Sequence, residues 1–185
     1  MLSRLFRSRP DIATAADIPR SDMALIREAA EAEFVDVEAL ADQMGIAIEE
    51  HPYRPEICGT LQPRGDVWVI GVNRADGFTR RRFTIAHEIG HYVLHRDLVM
   101  KRTPLPGITD THDYRQPDIA SQFNPHVPAI FETQANRVAV RILMGESKMR
   151  RLIEEGLDAE QIATLIGCSV KSTEIRVNCL RAEAL

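Results

Sequence analysis

The run Arg82-Phe83-Thr84-Ile85-Ala86-His87-Glu88-Ile89-Gly90-His91-Tyr92-Val93-Leu94-His95 decides how this chain is read. Phe83, Ile85, Ala86, Ile89, Val93 and Leu94 leave few polar positions, and the pattern predicts a helix over residues 79–95. A helix apolar nearly all round sits in the middle of its domain. His87, Glu88 and His91 stand inside it as HExxH. Four residues is just over one helical turn, so the two imidazoles project from one face and can share one metal ion. Zinc suits two neutral imidazoles plus a carboxylate, and a catalytic zinc site leaves its fourth position open. Glu88 lies about 100° round the helix from His87, flanking the metal rather than binding it. That is where a general base for an attacking water belongs. The competing reading is a pair of satisfied core histidines with a capping glutamate.

A third protein ligand is needed. The even spacing of His87, His91 and His95 invites His95. On an unbroken helix, though, it lies roughly 12 Å along the axis from His87, while zinc–nitrogen bonds are only ~2 Å. No glycine or proline between His91 and His95 breaks the helix. His95 is therefore expected to support the site or the fold. Glu132 is the better candidate. On a helix predicted over residues 129–144 it shares a face with Ala135, Ala139 and Leu143. Its carboxylate then points inward, where an unpaired charge is expensive and a zinc ion would neutralise it. Asn136, one turn on, can hydrogen-bond a ligand histidine and fix its tautomer. The alternative for Glu132 is a buried salt bridge to Arg137 or Arg141 of its own helix.

Two stretches now resemble the ImmA/IrrE family of zincin-like metallopeptidases. One is the run from Arg82 to His95; the other is Glu132-Thr-Gln-Ala-Asn-Arg-Val-Ala-Val-Arg-Ile-Leu-Met144. The resemblance extends over roughly residues 21–180, although only these two helices are highly specific. It implies zinc (Zn2+) on His87, His91 and Glu132, with Glu88 as base. It also implies a cytoplasmic zinc endopeptidase that cleaves a protein partner, typically a helix-turn-helix transcriptional repressor of a mobile element or stress regulon. Two departures stand out. Gly145 occupies a position where the family usually has proline, and Val138 and Val140 replace its usual Phe-Ala-Ala. Neither touches a ligand, so they bear on local packing alone. The competing class is a non-enzymatic regulator that keeps a zincin fold for protein or DNA binding. A structural zinc site, however, usually has four protein ligands and no use for Glu88.

The rest of the chain fits that frame. Its 185 residues are 44% hydrophobic and 27% charged, the balance of one ordinary globular domain able to build a core without metal or disulfide staples. The net charge of −4 argues against direct nucleic-acid binding. No apolar run approaches the ~20 residues that span a bilayer, and no signal-peptide core follows the basic start, so a cytoplasmic protein with no membrane partner is expected. Three cysteines without a CxxC pair agree with a reducing compartment.

The expected fold class is α+β, zincin-like, with a small sheet. Its parts are a tail over 1–20, a metallopeptidase domain over 21–145 and a helical C-terminal subdomain over 146–185. Helices are predicted from Ser21, which reads as the N-cap of the first, and over residues 35–44. Residues 46–48 and 67–72 carry β character, the second run apolar on both faces. Its edge is expected to receive an extended substrate. Residues 101–128, with five prolines, read as a long surface loop. In it His112 and Tyr114 are candidates to stabilise an oxyanion. Arg80, Arg81 and Arg82 read as a solvated basic face. Residues 158–170 have the spacing of a helix-turn-helix. Thr173 and Arg176 fall where apolar residues belong, and the segment 158–185 has three basic against four acidic side chains. Packing helices are therefore expected, not a DNA-binding unit.

Overall fold

Seven helices and four strands lie among the described residues (18–102, 108–111 and 129–183) of the computed structural model. Helix α1 (Arg20–Glu31) buries Met23, Ile26 and Ala30, one turn apart on one face. Its N-cap is Pro19, with no side-chain cap. The expected cap, Ser21, lies one residue inside the helix and bonds Asp22 instead. Helix α2 (Val37–Gln43) is shorter than the expected span because Asp36 caps it, accepting from the amides of Glu38 and Ala39. Gly45 then turns the chain at a φ of 71°, a conformation suited to glycine.

Strands β1 (Ile46–His51), β2 (Ile57–Arg64), β3 (Val67–Asn73) and β4 (Ile108–Thr111) form one sheet in the order β1-β3-β2-β4. β1 runs parallel to β3, and β2 runs antiparallel to both β3 and β4. Arg64 pairs with Val67 across a two-residue turn at Gly65 (φ 61°) and Asp66, a tight hairpin. β3 is therefore interior, paired on both sides. The expectation that it offers a free edge fails; its apolar character on both faces belongs to a central strand. β2 was not visible as a strand. Its residues Cys58, Gly59, Thr60 and Pro63 break the apolar alternation, and Pro63 is tolerated past Leu61, the last β2 residue with a described β4 partner. β4 lies within the stretch expected to be loop. Residues 103–107 and 112–128, with His112 and Tyr114, lie outside the described residues, as do 1–17 of the expected tail.

Helix α3 (Phe78–Arg102) continues past the predicted end at His95. It packs on β2 and β3, while its most extensive contact is with α4 (Ala129–Leu143). Leu61 and Ile70 of the sheet, Ile85 and Ile89 of α3, and Ile142 and Leu143 of α4 fill the core between them. Each such side chain contributes roughly 1.5–3 kcal/mol of burial. Gly90 permits the helix contact: a Cβ there would lie 2.8 Å from the Ala135 carbonyl oxygen.

Three short helices follow: α5 (Glu146–Glu154), α6 (Ala159–Ile166) and α7 (Val170–Glu183). Gly145 opens α5 against α1, where a Cβ would sit 2.8 Å from the Ala30 carbonyl oxygen. That close approach accounts for the missing proline. Asp158 and Gln161 form a reciprocal capping box on α6, which Gly167 ends at a φ of 67°. Thr173 and Arg176 are buried, and α7 packs on α5 and α6, so this segment spends its helix faces on packing.

The arginine cluster is not a solvated face. Arg82 is buried, donates to the Ile166 and Gly167 carbonyls at 3.2 Å each, and lies 3.9 Å over the Phe34 ring. Arg80 reaches Cys58 Sγ at 2.9 Å, and Arg81 pairs with Glu50. Among the described residues no helix is long and apolar enough to cross a membrane.

Candidate metal centre

His87 and His91 stand one turn apart on α3, both 0% exposed, with their rings turned toward α4. Their Nε2 atoms are 2.9 Å apart. Glu132, in the first turn of α4, brings Oε2 to 3.3 Å from His87 Nε2 and Oε1 to 3.5 Å from His91 Nε2. Its carboxylate turns across to the imidazoles, away from the salt bridge to Arg137 or Arg141 that the sequence left open. A tetrahedral ion with bonds of about 2.0–2.1 Å separates its ligand atoms by roughly 3.3–3.5 Å. The two nitrogens stand slightly closer than that, and each has one oxygen of the Glu132 carboxylate at that range. Two imidazoles and one carboxylate are also the donor set that zinc prefers. His87, His91 and Glu132 are thus a group able to hold a metal ion.

Burial pushes the Glu132 pKa up, but the charge and hydrogen bonds of His91 and His87 outweigh it and hold the carboxyl well below the usual range. The Glu132 side chain is 19% exposed, whereas those of His87 and His91 are fully buried.

The far nitrogens of both histidines are also engaged. His87 Nδ1 lies 3.0 Å from Asn136 Oδ1; Asn136 is buried one turn beyond Glu132. An amide oxygen only accepts, so His87 carries its proton on Nδ1 and directs the Nε2 lone pair into the site. His91 Nδ1 lies 3.1 Å from His95 Nδ1. His95 stands behind His91 and outside the ligand triangle, as its helical spacing requires. Its other nitrogen meets Gln134 Oε1 at 2.9 Å, and its ring stacks on Phe131 at 4.0 Å and 3°. Burial first, and the neighbouring His91 second, lower its pKa to about 4. Gln134 and Phe131 were missed by sequence reading, because a Gln and a Phe on a half-apolar helix carry no signature of such contacts.

Glu88 is 0% exposed and faces the sheet. Its Oε1 lies 2.9 Å from the point where a Cβ on Gly59 of β2 would stand, and Thr84 crowds the same point. Gly59 is thus the second missed residue. A glycine inside a strand marks close approach, but β2 first had to be recognised as a strand.

A Mycobacterium tuberculosis transcriptional regulator shares the fold, at a TM-score of 0.52 and 16% identity. The match covers 95% of this chain and 50% of that one, so the chain spans about half the length of the regulator. No curated protein sequence matches. The model of the IrrE N-terminal-like domain, a peptidase family, matches residues 41–178, from the end of α2 through both ligand-bearing helices into α7. The chain belongs to that family.

Proposed function

We propose that this chain is a zinc-dependent endopeptidase that cleaves a cytoplasmic protein partner. In this reading zinc sits on His87, His91 and Glu132, and Glu88 is the general base. The observation that carries it is the convergence of two imidazole Nε2 atoms from one helix and the carboxylate of another within 3.5 Å. When bound, zinc supplies Lewis-acid polarisation of the scissile carbonyl and acidifies the attacking water. Glu88 takes the proton from that water and passes it to the departing amine nitrogen. Asn136 holds His87 in the tautomer that binds. Gly59 leaves space for the Glu88 carboxylate.

The substrate strand is assigned to β4 in place of β3. Asp110 of β4 pairs with Gly59, the residue beneath Glu88, and among the described strands β4 is the outer one on that side. An extended segment added there lies beyond β4, two strand spacings or about 10 Å from Gly59. The partner class, a helix-turn-helix repressor of a mobile element or stress regulon, rests on the family resemblance. The residues 21–145 and 146–185 are taken as catalytic domain and helical subdomain, with Arg82 tying one to the other.

Glu88→Gln tests the reading, because it keeps shape and polarity and removes the base. Co-expressed with helix-turn-helix repressors encoded beside its gene, the wild type is expected to make one clean cut. The variant should hold zinc and fold yet cut about 10²–10⁴-fold more slowly. If both versions change transcription equally and no repressor is cut, the chain is a non-enzymatic regulator.

A further inference from the structure

His91 is held by a chain of two further groups. Its Nδ1 faces His95 Nδ1 at 3.1 Å, and His95 Nε2 faces Gln134 Oε1 at 2.9 Å. Only one proton fits between two facing Nδ1 atoms, and which ring owns it decides where His91 keeps its lone pair. Gln134 Oε1 can only accept, so the proton between it and His95 belongs to His95 Nε2. A neutral His95 then has its lone pair on Nδ1 and accepts from His91. With its proton on Nδ1, a neutral His91 presents the Nε2 lone pair to the point shared with His87 and Glu132. The opposite order would set the Nε2 lone pair of His95 against the Gln134 oxygen at 2.9 Å, in a buried setting where such repulsion is unscreened.

We infer that His95, itself oriented by Gln134, is a positioning residue that fixes the metal-binding tautomer of His91. The inference rests on the zinc reading above. The two ligand histidines are then set by the same device at different lengths. Asn136 orders His87 directly, and Gln134, two residues earlier on the same helix, orders His91 through an intervening ring. Stacking on Phe131 keeps that ring in plane. The side chain therefore has two separable duties, filling space beside Phe131 and accepting a proton at Nδ1.

Two substitutions separate them. His95→Phe keeps the aromatic volume and the stack but has no acceptor. His95→Asn loses the ring but places an amide oxygen near the position of Nδ1. Zinc affinity is measured by competition with a chelator, on protein whose circular dichroism matches the wild type. His95→Phe should weaken binding about 10–100-fold, and His95→Asn should recover most of that loss. In the wild type, ¹⁵N shifts should show His91 Nδ1 and His95 Nε2 protonated and His95 Nδ1 bare, whatever proton His91 Nε2 shares with Glu132 before zinc binds. The inference is overturned if His95→Phe binds zinc like the wild type, if His95→Asn binds no better than His95→Phe, or if the proton between the two rings sits on His95 Nδ1. A wild type that binds no zinc overturns the zinc reading itself, a separate outcome that the same titration identifies.

Discussion

Gly90→Ala is the most direct probe of how the two ligand-bearing helices are held. Gly90 lies between His87 and His91, and the residue it meets, Ala135, lies between Glu132 and Asn136. A Cβ at Gly90 would stand 2.8 Å from the Ala135 oxygen, 2.9 Å from its Cα and 3.2 Å from its carbonyl carbon. Carbon atoms in contact rest at about 3.5–4.0 Å, so the helices must part by roughly 0.5–1 Å. All three contacted atoms are backbone, and no side chain can swing aside to absorb the strain. Inside an isolated helix the change would gain about 1 kcal/mol of propensity, whereas overpacking costs about 1–3 kcal/mol. Net stability should therefore fall by at most ~2 kcal/mol. The metal site is the sensitive reporter, because the displacement is a large fraction of a ~2.1 Å zinc–oxygen bond. Zinc affinity should drop at least tenfold, about 1.4 kcal/mol, in chelator competition on protein that remains folded by circular dichroism. Gly77→Ala, whose Cβ meets nothing within 4 Å, serves as control and should bind as the wild type does. A Gly90→Ala protein that melts higher and holds zinc equally well would refute the close helix contact and the site built on it.

His87→Ala and Glu132→Ala should each abolish stoichiometric zinc binding in elemental analysis; full zinc in Glu132→Ala would move the third ligand elsewhere. Gly59→Ala puts a methyl against Thr84 and Glu88, so it should retain zinc and lose cleavage. Normal turnover in that variant would remove Glu88 from the base position. Burial lowers the Lys148 pKa from 10.5 to about 8. Between those values the unfolded chain binds the extra proton, so stability should rise with pH from about 8. The buried Cys168, raised from 9.0 to about 11, opposes the rise above about 9. Lys148→Met should abolish the rise between pH 8 and 9 in thermal melts. At pH 7 it should be neutral to stabilising by about 1–2 kcal/mol despite losing the bond to the Ala32 carbonyl. A variant that keeps the slope would place its origin elsewhere.

The parts of the molecule legible in sequence are those whose signal is local. HExxH puts His87 and His91 on one helix face as candidate ligands, with Glu88 about 100° round from His87 as candidate base, by helical periodicity alone. The Ala135, Ala139 and Leu143 stripe turns Glu132 inward by the same periodicity on a second helix. What escaped depends on contacts across the chain. β2 lacks alternation because two of its residues answer to neighbours: Gly59 yields to Glu88, and Thr60 bonds Tyr53 at 2.9 Å. The interior place of β3 follows from its pairing with β1 on one side and with β2, the strand that was not visible, on the other. Arg82 looks solvent-bound beside Arg80 and Arg81, and only the carbonyls at the end of α6, more than 80 residues later, explain its burial.

The Arg82 contact also gives the C-terminal helices a role that their lack of metal ligands conceals. The last carbonyls of a helix are unsatisfied and carry partial negative charge. Arg82 supplies donors to those of α6, and Lys148 of α5 supplies one to Ala32, the C-cap of α1, at 2.8 Å. Two cations thus end two helices, which offsets part of the cost of burying them, although burial still lowers the pKa of both. Arg82 stands five residues before His87 on a continuous helix. Anchoring its guanidinium to Ile166 and Gly167 therefore fixes the rotation of α3 about its own axis. That rotation directs His87 and His91 at α4 and Glu88 at β2 together. A turn of even 20° would swing side-chain nitrogens lying about 6–8 Å from the helix axis by some 2–3 Å, more than a zinc–ligand bond length. Residues near the end of the chain thus help set the aim of the metal centre through one buried arginine.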